Sequence, residues 1–244
     1  MSCRRALATD CSIFLRGADV KTERWAPYVS WARSQLDWTH TVITFNFDAV
    51  PEILQASEGR LSVVDPTQVD KSIKAAHDAN KAPVLKLHGS LTWIIGAGGK
   101  LDMPNQPETA LEYLGTRDVV IGLPGPRKRG LYGGILKNLR EAAVQALQVA
   151  GQVIFVGYRF PPTDADARLF LLGAIRNNRT DGHHLLSAWV VLGPDTESPD
   201  VKRLRHLLDT VLGVQFDVDV LPLLAEDFLS VREIIQPRHL PLQS

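Results

Sequence analysis

What most constrains the fold of this chain is a repeated pattern: short apolar, β-branched runs that stop abruptly at polar residues or glycine. The clearest is Thr41-Val-Ile-Thr-Phe-Asn-Phe-Asp48, in which the apolar character ends at Asn46 and Asp48. Thr41 to Thr44 suit a pleated, half-buried surface, and Val50-Pro51-Glu52 then opens a helix with proline in its first turn. Val84-Leu-Lys-Leu runs in the same way into His88-Gly89-Ser90, and Gln152 to Val156 runs into Gly157. Apolar runs of this length, bounded by turn residues, read as buried strands.

Between the runs lie helical periodicities. Trp25, Tyr28, Val29, Trp31, Ala32 and Leu36 recur at helical spacing, and so do Ile135, Leu136, Leu139, Ala143, Ala146, Leu147 and Ala150, ending at Gly151. Asp164 is an N-cap candidate for a helix carrying Leu169, Leu172 and Ile175. Ser198-Pro199 starts another over 201–212, which Gly213 terminates. Further strands are read at 119–121 and 188–192 and where Phe216, Val218 and Val220 alternate with polar residues. The stretch from Gly96 to Pro107 reads as an irregular excursion. Strand and helix alternate, so the fold class expected is α/β: a Rossmann-like, mostly parallel sheet with helices on both faces. A chain of 244 residues with 45% apolar content suits one core. A single α/β domain over 1–244 is expected, with 1–40 poorly assigned and 236–244 a tail.

Composition excludes several function classes. Lys plus Arg equals Asp plus Glu at 27 each, so no global field draws the chain to nucleic acid or to an anionic membrane. The basic loop Arg127-Lys128-Arg129 lacks interleaved aromatics, and nucleic acid is not an expected partner. Only Cys3 and Cys11 are present, too few for a four-cysteine zinc site or a disulfide framework. His183-His184 lacks a spacing partner, and no metal is expected. No signal-peptide core and no apolar run approaching the ~18 residues of a membrane span occurs, which points to a cytoplasmic setting.

The chemistry-bearing residues sit at the strand ends, where open α/β sheets bind ligands. The Asn46 amide donates and accepts, and the Asp48 carboxylate accepts from hydroxyls, a combination suited to a ribose. An Asx turn capping the next helix is the alternative for the same residues. His88 can serve as a general base toward a sugar hydroxyl or a water. His40, His77, His183, His184, His206 and His239 have no such context. Gly157 permits close backbone approach to a ligand. Arg159 after it either pairs with phosphate or is simply solvated.

Thr44-Phe-Asn46-Phe-Asp48 resembles the Thr-x-Asn-x-Asp signature of the sirtuin-like (silent-information-regulator-two) superfamily. Two later segments follow in the family's order. Val84-Leu-Lys-Leu-His88-Gly89-Ser90 resembles its strand-His-Gly, and Ile154-Phe-Val-Gly157-Tyr-Arg-Phe resembles its strand-Gly-(Thr or Tyr)-Ser loop. The resemblance implies NAD as substrate or ligand, Asn46 beside the nicotinamide ribose positioning the nucleophile, and His88 as the catalytic histidine. It places Thr44, Asp48, Gly89, Gly157, Tyr158, Arg159 and Asp164 among the cofactor-binding residues, with Asp166 as an alternative to Asp164.

The chain also departs from the family. The cysteines of the deacylase zinc module are missing, which favours the bacterial, zinc-free branch, whose members are similar to NAD glycohydrolases in phage defence. Tyr158-Arg159 stands where the family's loop has a serine. The Gly-Ala-Gly-x-Ser segment is absent upstream of Thr41, where Gly17 is the sole glycine. An incomplete domain lacking its first strand and phosphate loop is therefore expected. The function expected is hydrolysis of NAD to ADP-ribose and nicotinamide; a catalytically inactive nucleotide sensor or scaffold is the alternative, and an NAD-dependent protein deacylase a third. Expected partners are NAD or ADP-ribose, with a protein partner or a homo-oligomer left open and no membrane.

Overall fold

Each apolar run that stops at a polar residue forms a strand, and the stop lies at the strand's carboxyl end. In a computed structural model, the described residues are 8–10, 12–15, 17–35, 39–104, 107–114, 116–122, 134–160, 164–180, 187–213 and 218–230. The chain divides into two compact units, Met1–Ala143 and Val144–Ser244.

In the first unit, residues 8–10 are helical and Ile13–Leu15 forms a 3-10 turn; the described residues before Thr41 contain no strand. Helix α1 (Ala26–Ser34) has Pro27 in its first turn. It buries Val29 and Ala32 in a cluster with Leu54, Leu61, Ala82 and Val84. Strand β1 (Val42–Thr44), helix α2 (Val50–Glu58), strand β2 (Leu61–Val63), helix α3 (Val69–Asp78) and strand β3 (Ala82–Lys86) follow. The three strands form a parallel sheet in the order β1-β3-β2, in register at Val42 with Val84, Thr44 with Lys86 and Leu61 with Ala82. Every residue of the central β3 is buried, as a strand covered on both sides demands. Lys86 alone breaks its apolar run. Helix α2 ends where Gly59, at φ 68°, adopts the left-handed cap conformation and donates its N–H to the Gln55 carbonyl at 3.1 Å.

Two residues after β3 the chain enters a second sheet. Strand β4 (Gly89–Ile95) pairs antiparallel with β5 (Leu101–Asp102) and β6 (Val119–Ile121), in the order β5-β4-β6. The stretch read as irregular thus holds β5 and a 3-10 turn at Ala97–Gly99. Helix α4 (Pro107–Glu112) packs on β4. Gly89 makes the sheet change feasible: its φ is +79°, and a Cβ there would lie 1.9 Å from the Val120 carbonyl oxygen. Only glycine fits.

Helix α5 (Lys137–Val149) runs across the division into the second unit, which carries consecutive βαβ crossovers: β7 (Gln152–Val156), α6 (Ala165–Thr180), β8 (Ser187–Val191), α7 (Pro199–Leu212), β9 (Val218–Leu221) and α8 (Ala225–Ser230). The strands are parallel in the order β7-β8-β9, with Val153 opposite Ala188 and Ala188 opposite Val218. Helix α7 starts as its sequence indicates: the Ser198 hydroxyl accepts from the Val201 N–H at 3.4 Å and Pro199 occupies the first turn. Buried Asn178 on α6 donates to the carbonyls of Leu147 at 2.8 Å and Ala150 at 2.9 Å, closing the end of α5. The chain is thus mixed α/β with parallel sheets, consistent with a Rossmann-like fold. Arg127-Lys128-Arg129, His183-His184, Phe216 and the tail lie outside the described residues. Among the described residues, no helix is long and apolar enough to cross a membrane.

Candidate functional site

In the first unit the ends of β1 and β3 lie side by side. β1 stops at Thr44, whose hydroxyl accepts the Asn46 N–H at 3.0 Å and whose carbonyl accepts the Leu87 N–H at 2.9 Å. The Phe47 carbonyl accepts the Leu91 N–H at 2.8 Å. The connection carrying Asn46 and Asp48 is therefore tied by its backbone to the turn carrying His88 and Gly89. Asn46 is exposed, and Asp48 is half-buried.

His88 is buried, at 8% exposure. Its ring meets that of Phe45 edge-on, at 5.0 Å between centroids and 73° between planes. On another side Gly122 donates its N–H to the His88 carbonyl at 2.7 Å, and a Cβ at Gly122 would come within 3.5 Å of the imidazole. The histidine ring is thus held between an aromatic edge and a glycine. Thr44, Asn46, Asp48, His88 and Gly89 are brought together at these two strand ends.

Asp48 realises the capping arrangement that its sequence position allows: Oδ1 accepts from the Val50 N–H at 3.0 Å, at the start of α2. Burial raises the pKa of this carboxyl above the usual range; the Lys86 charge and the Val50 N–H pull it back in part, while the neighbouring Glu52 charge adds to the rise. Capping does not preclude a ligand role, since the second carboxylate oxygen is left to accept elsewhere.

Beneath these strand ends is a buried polar cluster that sequence reasoning did not anticipate. Lys86, fully buried, donates to both Glu52 carboxylate oxygens at 2.9 Å, to the Ser90 hydroxyl at 2.9 Å and to the Asp48 backbone carbonyl. Ser90 donates to Glu52 Oε1, and Thr92 Oγ1 lies 3.1 Å from the same oxygen. The Ser90 oxygen also accepts the Thr92 N–H at 3.2 Å. Each polar group is matched, as burial requires. Two signals in the sequence mark this cluster: a lysine inside the apolar run Val84-Leu-Lys-Leu, and a glutamate in the first turn of α2, where the helix dipole favours an anion.

In the second unit the corresponding strand end is that of β7. Gly157, exposed and at φ +69°, donates its N–H to the Val191 carbonyl at 2.9 Å, with open space where a Cβ would stand. Tyr158 is half-buried and meets the Phe160 ring edge-on at 4.7 Å; Phe160 is buried at φ +46°, a left-handed conformation unusual for an aromatic residue. Arg159 pairs with Asp200 at 3.0 Å, and Arg203 donates to both the Arg159 carbonyl, at 2.6 Å, and Asp200, at 3.1 Å. Asp164 is buried immediately before α6, the capping position read from the sequence, and Asp166 lies in that helix's first turn. The sequence-predicted residues thus form two groups, one at a strand end of each unit. Among the described residues, no group of three or more His, Cys, Asp and Glu could hold a metal ion.

A family model described as a SIR2-like domain matches residues 40–210, a stretch that contains both groups. Comparison with curated proteins and with solved structures finds no match to the chain. The match covers most of the chain's length and carries with it a sirtuin-like, NAD-related function. The chain belongs to the SIR2-like domain family.

Proposed function

We propose that this chain hydrolyses NAD to ADP-ribose and nicotinamide. The observation that carries the reading is the juxtaposition of an exposed Asn46 with a buried, ring-packed His88 at adjacent strand ends. In the proposed step the Asn46 amide orients a water toward the anomeric carbon of the nicotinamide ribose. The new carbon–oxygen bond forms as the bond to the nicotinamide nitrogen breaks. Nicotinamide leaves with the bonding electrons, and His88 takes the proton of the attacking group. Thr44, Asp48 and Gly89 shape the ribose side of the site. Depletion of NAD suits the phage-defence role of the zinc-free branch that the motifs resemble.

Purified protein incubated with NAD should release nicotinamide, and Asn46→Ala and His88→Ala should each lower the rate about a hundredfold or more, the usual scale for losing a positioned acid–base group. Equal rates in the three proteins would remove these residues from the mechanism.

A nucleotide sensor of the same fold without turnover is the alternative outcome of that assay. Calorimetry showing NAD or ADP-ribose binding, with no nicotinamide released over hours, would decide for the sensor.

A further inference from the structure

We infer that Lys86 is a positioning residue that clamps the Asn46 segment to the His88 turn; the catalytic part of this inference rests on the function proposed above. A lysine buried to 0% exposure needs a compensating charge and acceptors for all three of its protons. Where only core filling is required, apolar residues of similar volume do as well or better. The other residues of β3, Ala82 to Leu85, are apolar.

The acceptors are not drawn from one place. The Asp48 carbonyl belongs to the connection that carries Asn46, two residues away. Glu52 belongs to the first turn of α2, which that connection enters. Ser90 lies just past the turn that carries His88, so that Lys86 and Ser90 flank the histidine at equal distance in the chain and meet across it at 2.9 Å. One ammonium group therefore ties three segments, and two of them hold the proposed catalytic side chains. Glu52 can accept two of the three protons, and the remaining acceptors come from the two segments that carry Asn46 and His88.

A serine-lysine nucleophile is the competing reading of the same atoms, and the bonding argues against it. The Ser90 hydroxyl is fully buried and donates its proton to Glu52, while Lys86 donates to Ser90 and so is no base toward it. The cluster holds groups in place and does not attack substrate.

The test replaces the buried pair by apolar residues of similar size, Lys86→Met with Glu52→Leu, so that no lone charge is left inside. Two readouts are taken. Amide hydrogen exchange is followed at Leu87 and Leu91, whose N–H groups bridge to Thr44 and Phe47, with the Gly157 amide of the second unit as internal reference. Steady-state release of nicotinamide from NAD supplies kcat and KM. Exchange at Leu87 and Leu91 should accelerate about tenfold or more while Gly157 is unchanged. The kcat should fall about a hundredfold with little change in KM, as misplacement of catalytic groups produces.

Ser90→Ala, which removes only the bond across His88, should move both readouts in the same direction by less, and it supplies the answer if the double variant does not fold. Unchanged exchange and unchanged kcat in a folded variant would overturn the clamp. If the wild-type protein releases no nicotinamide, the hydrolase reading fails by itself, and the exchange readout still decides whether Lys86 joins the two segments.

Discussion

The two strand ends that carry the motif residues are built on opposite plans. In the first unit, the ends of β1 and β3 stand over a buried, charge-matched cluster in which Lys86 and Glu52 are joined by Ser90 and Thr92. In the second unit the end of β7 is held by groups at the surface, chiefly the Arg159–Asp200 pair, with Arg159 more than half exposed. A buried pair broken on one side costs about 3–5 kcal/mol, whereas exposed pairs contribute about 0–1 kcal/mol and are screened by salt. The chain has thus placed its rigid polar construction under the residues proposed for chemistry, while the end of β7 rests on an adjustable one. Rigid support of reacting groups is what positioned catalysis calls for.

The contrast can be broken most forcefully at Gly89. Gly89→Ala puts a Cβ 1.9 Å from the Val120 carbonyl oxygen at a φ of +79°, so backbone must move. The loss of stability should be about 3 kcal/mol or more, read from the denaturant midpoint. A variant within about 0.5 kcal/mol of wild type, the range of ordinary surface changes, would mean that the backbone passing from β3 to β4 yields to an added Cβ.

A smaller effect with a definite sign is expected at Asp48. Its carboxyl holds its proton more tightly in the folded chain than in the unfolded one, chiefly through burial. Its contribution to stability is therefore fully present below the usual carboxylate range and is lost as pH rises through the raised folded value. Asp48→Asn keeps an oxygen to accept the Val50 N–H and carries no charge. The variant should gain on wild type as pH climbs from about 3 to about 7, in denaturant midpoints compared across that range. A variant that loses ground over the same range would show that Lys86 outweighs burial.

The smallest effect belongs to the second unit. Asp200→Asn removes the carboxylate charge that Arg159 and Arg203 share at the surface, and stability should fall by about 1 kcal/mol or less. The deficit should shrink further when salt is raised, because exposed charges are screened over about 10 Å at 0.1 M. A loss comparable to that at Gly89, unaffected by salt, would erase the distinction between the two strand ends.

Much of this molecule was written in local pattern. Pro27, Pro51 and Pro199 stand in the first turns of α1, α2 and α7, and Ser198 and Gly213 bound α7, because helix ends are decided by the few residues whose backbone groups lack partners. The strands at 42–44, 82–86, 152–156 and 187–191 were legible because burial imposes an apolar period on the residues themselves. The motif positions Thr44, Asn46, Asp48, His88 and Gly157 fall at or just beyond strand ends for the same reason: polarity begins where pleated pairing stops.

Only the tertiary structure decided who partners whom. Nothing local says that the chain after His88 turns into an antiparallel sheet, since β4 gains its partners β5 and β6 by pairings that local periodicity does not encode. Lys86 and Glu52 are 34 positions apart and Arg159 and Asp200 are 41 apart, so each reads in sequence as an ordinary charge. A lysine in an apolar strand signals that a partner must exist, because burial without one is prohibitive. Which partner it finds depends on how the sheet closes, and that is a property of the folded chain.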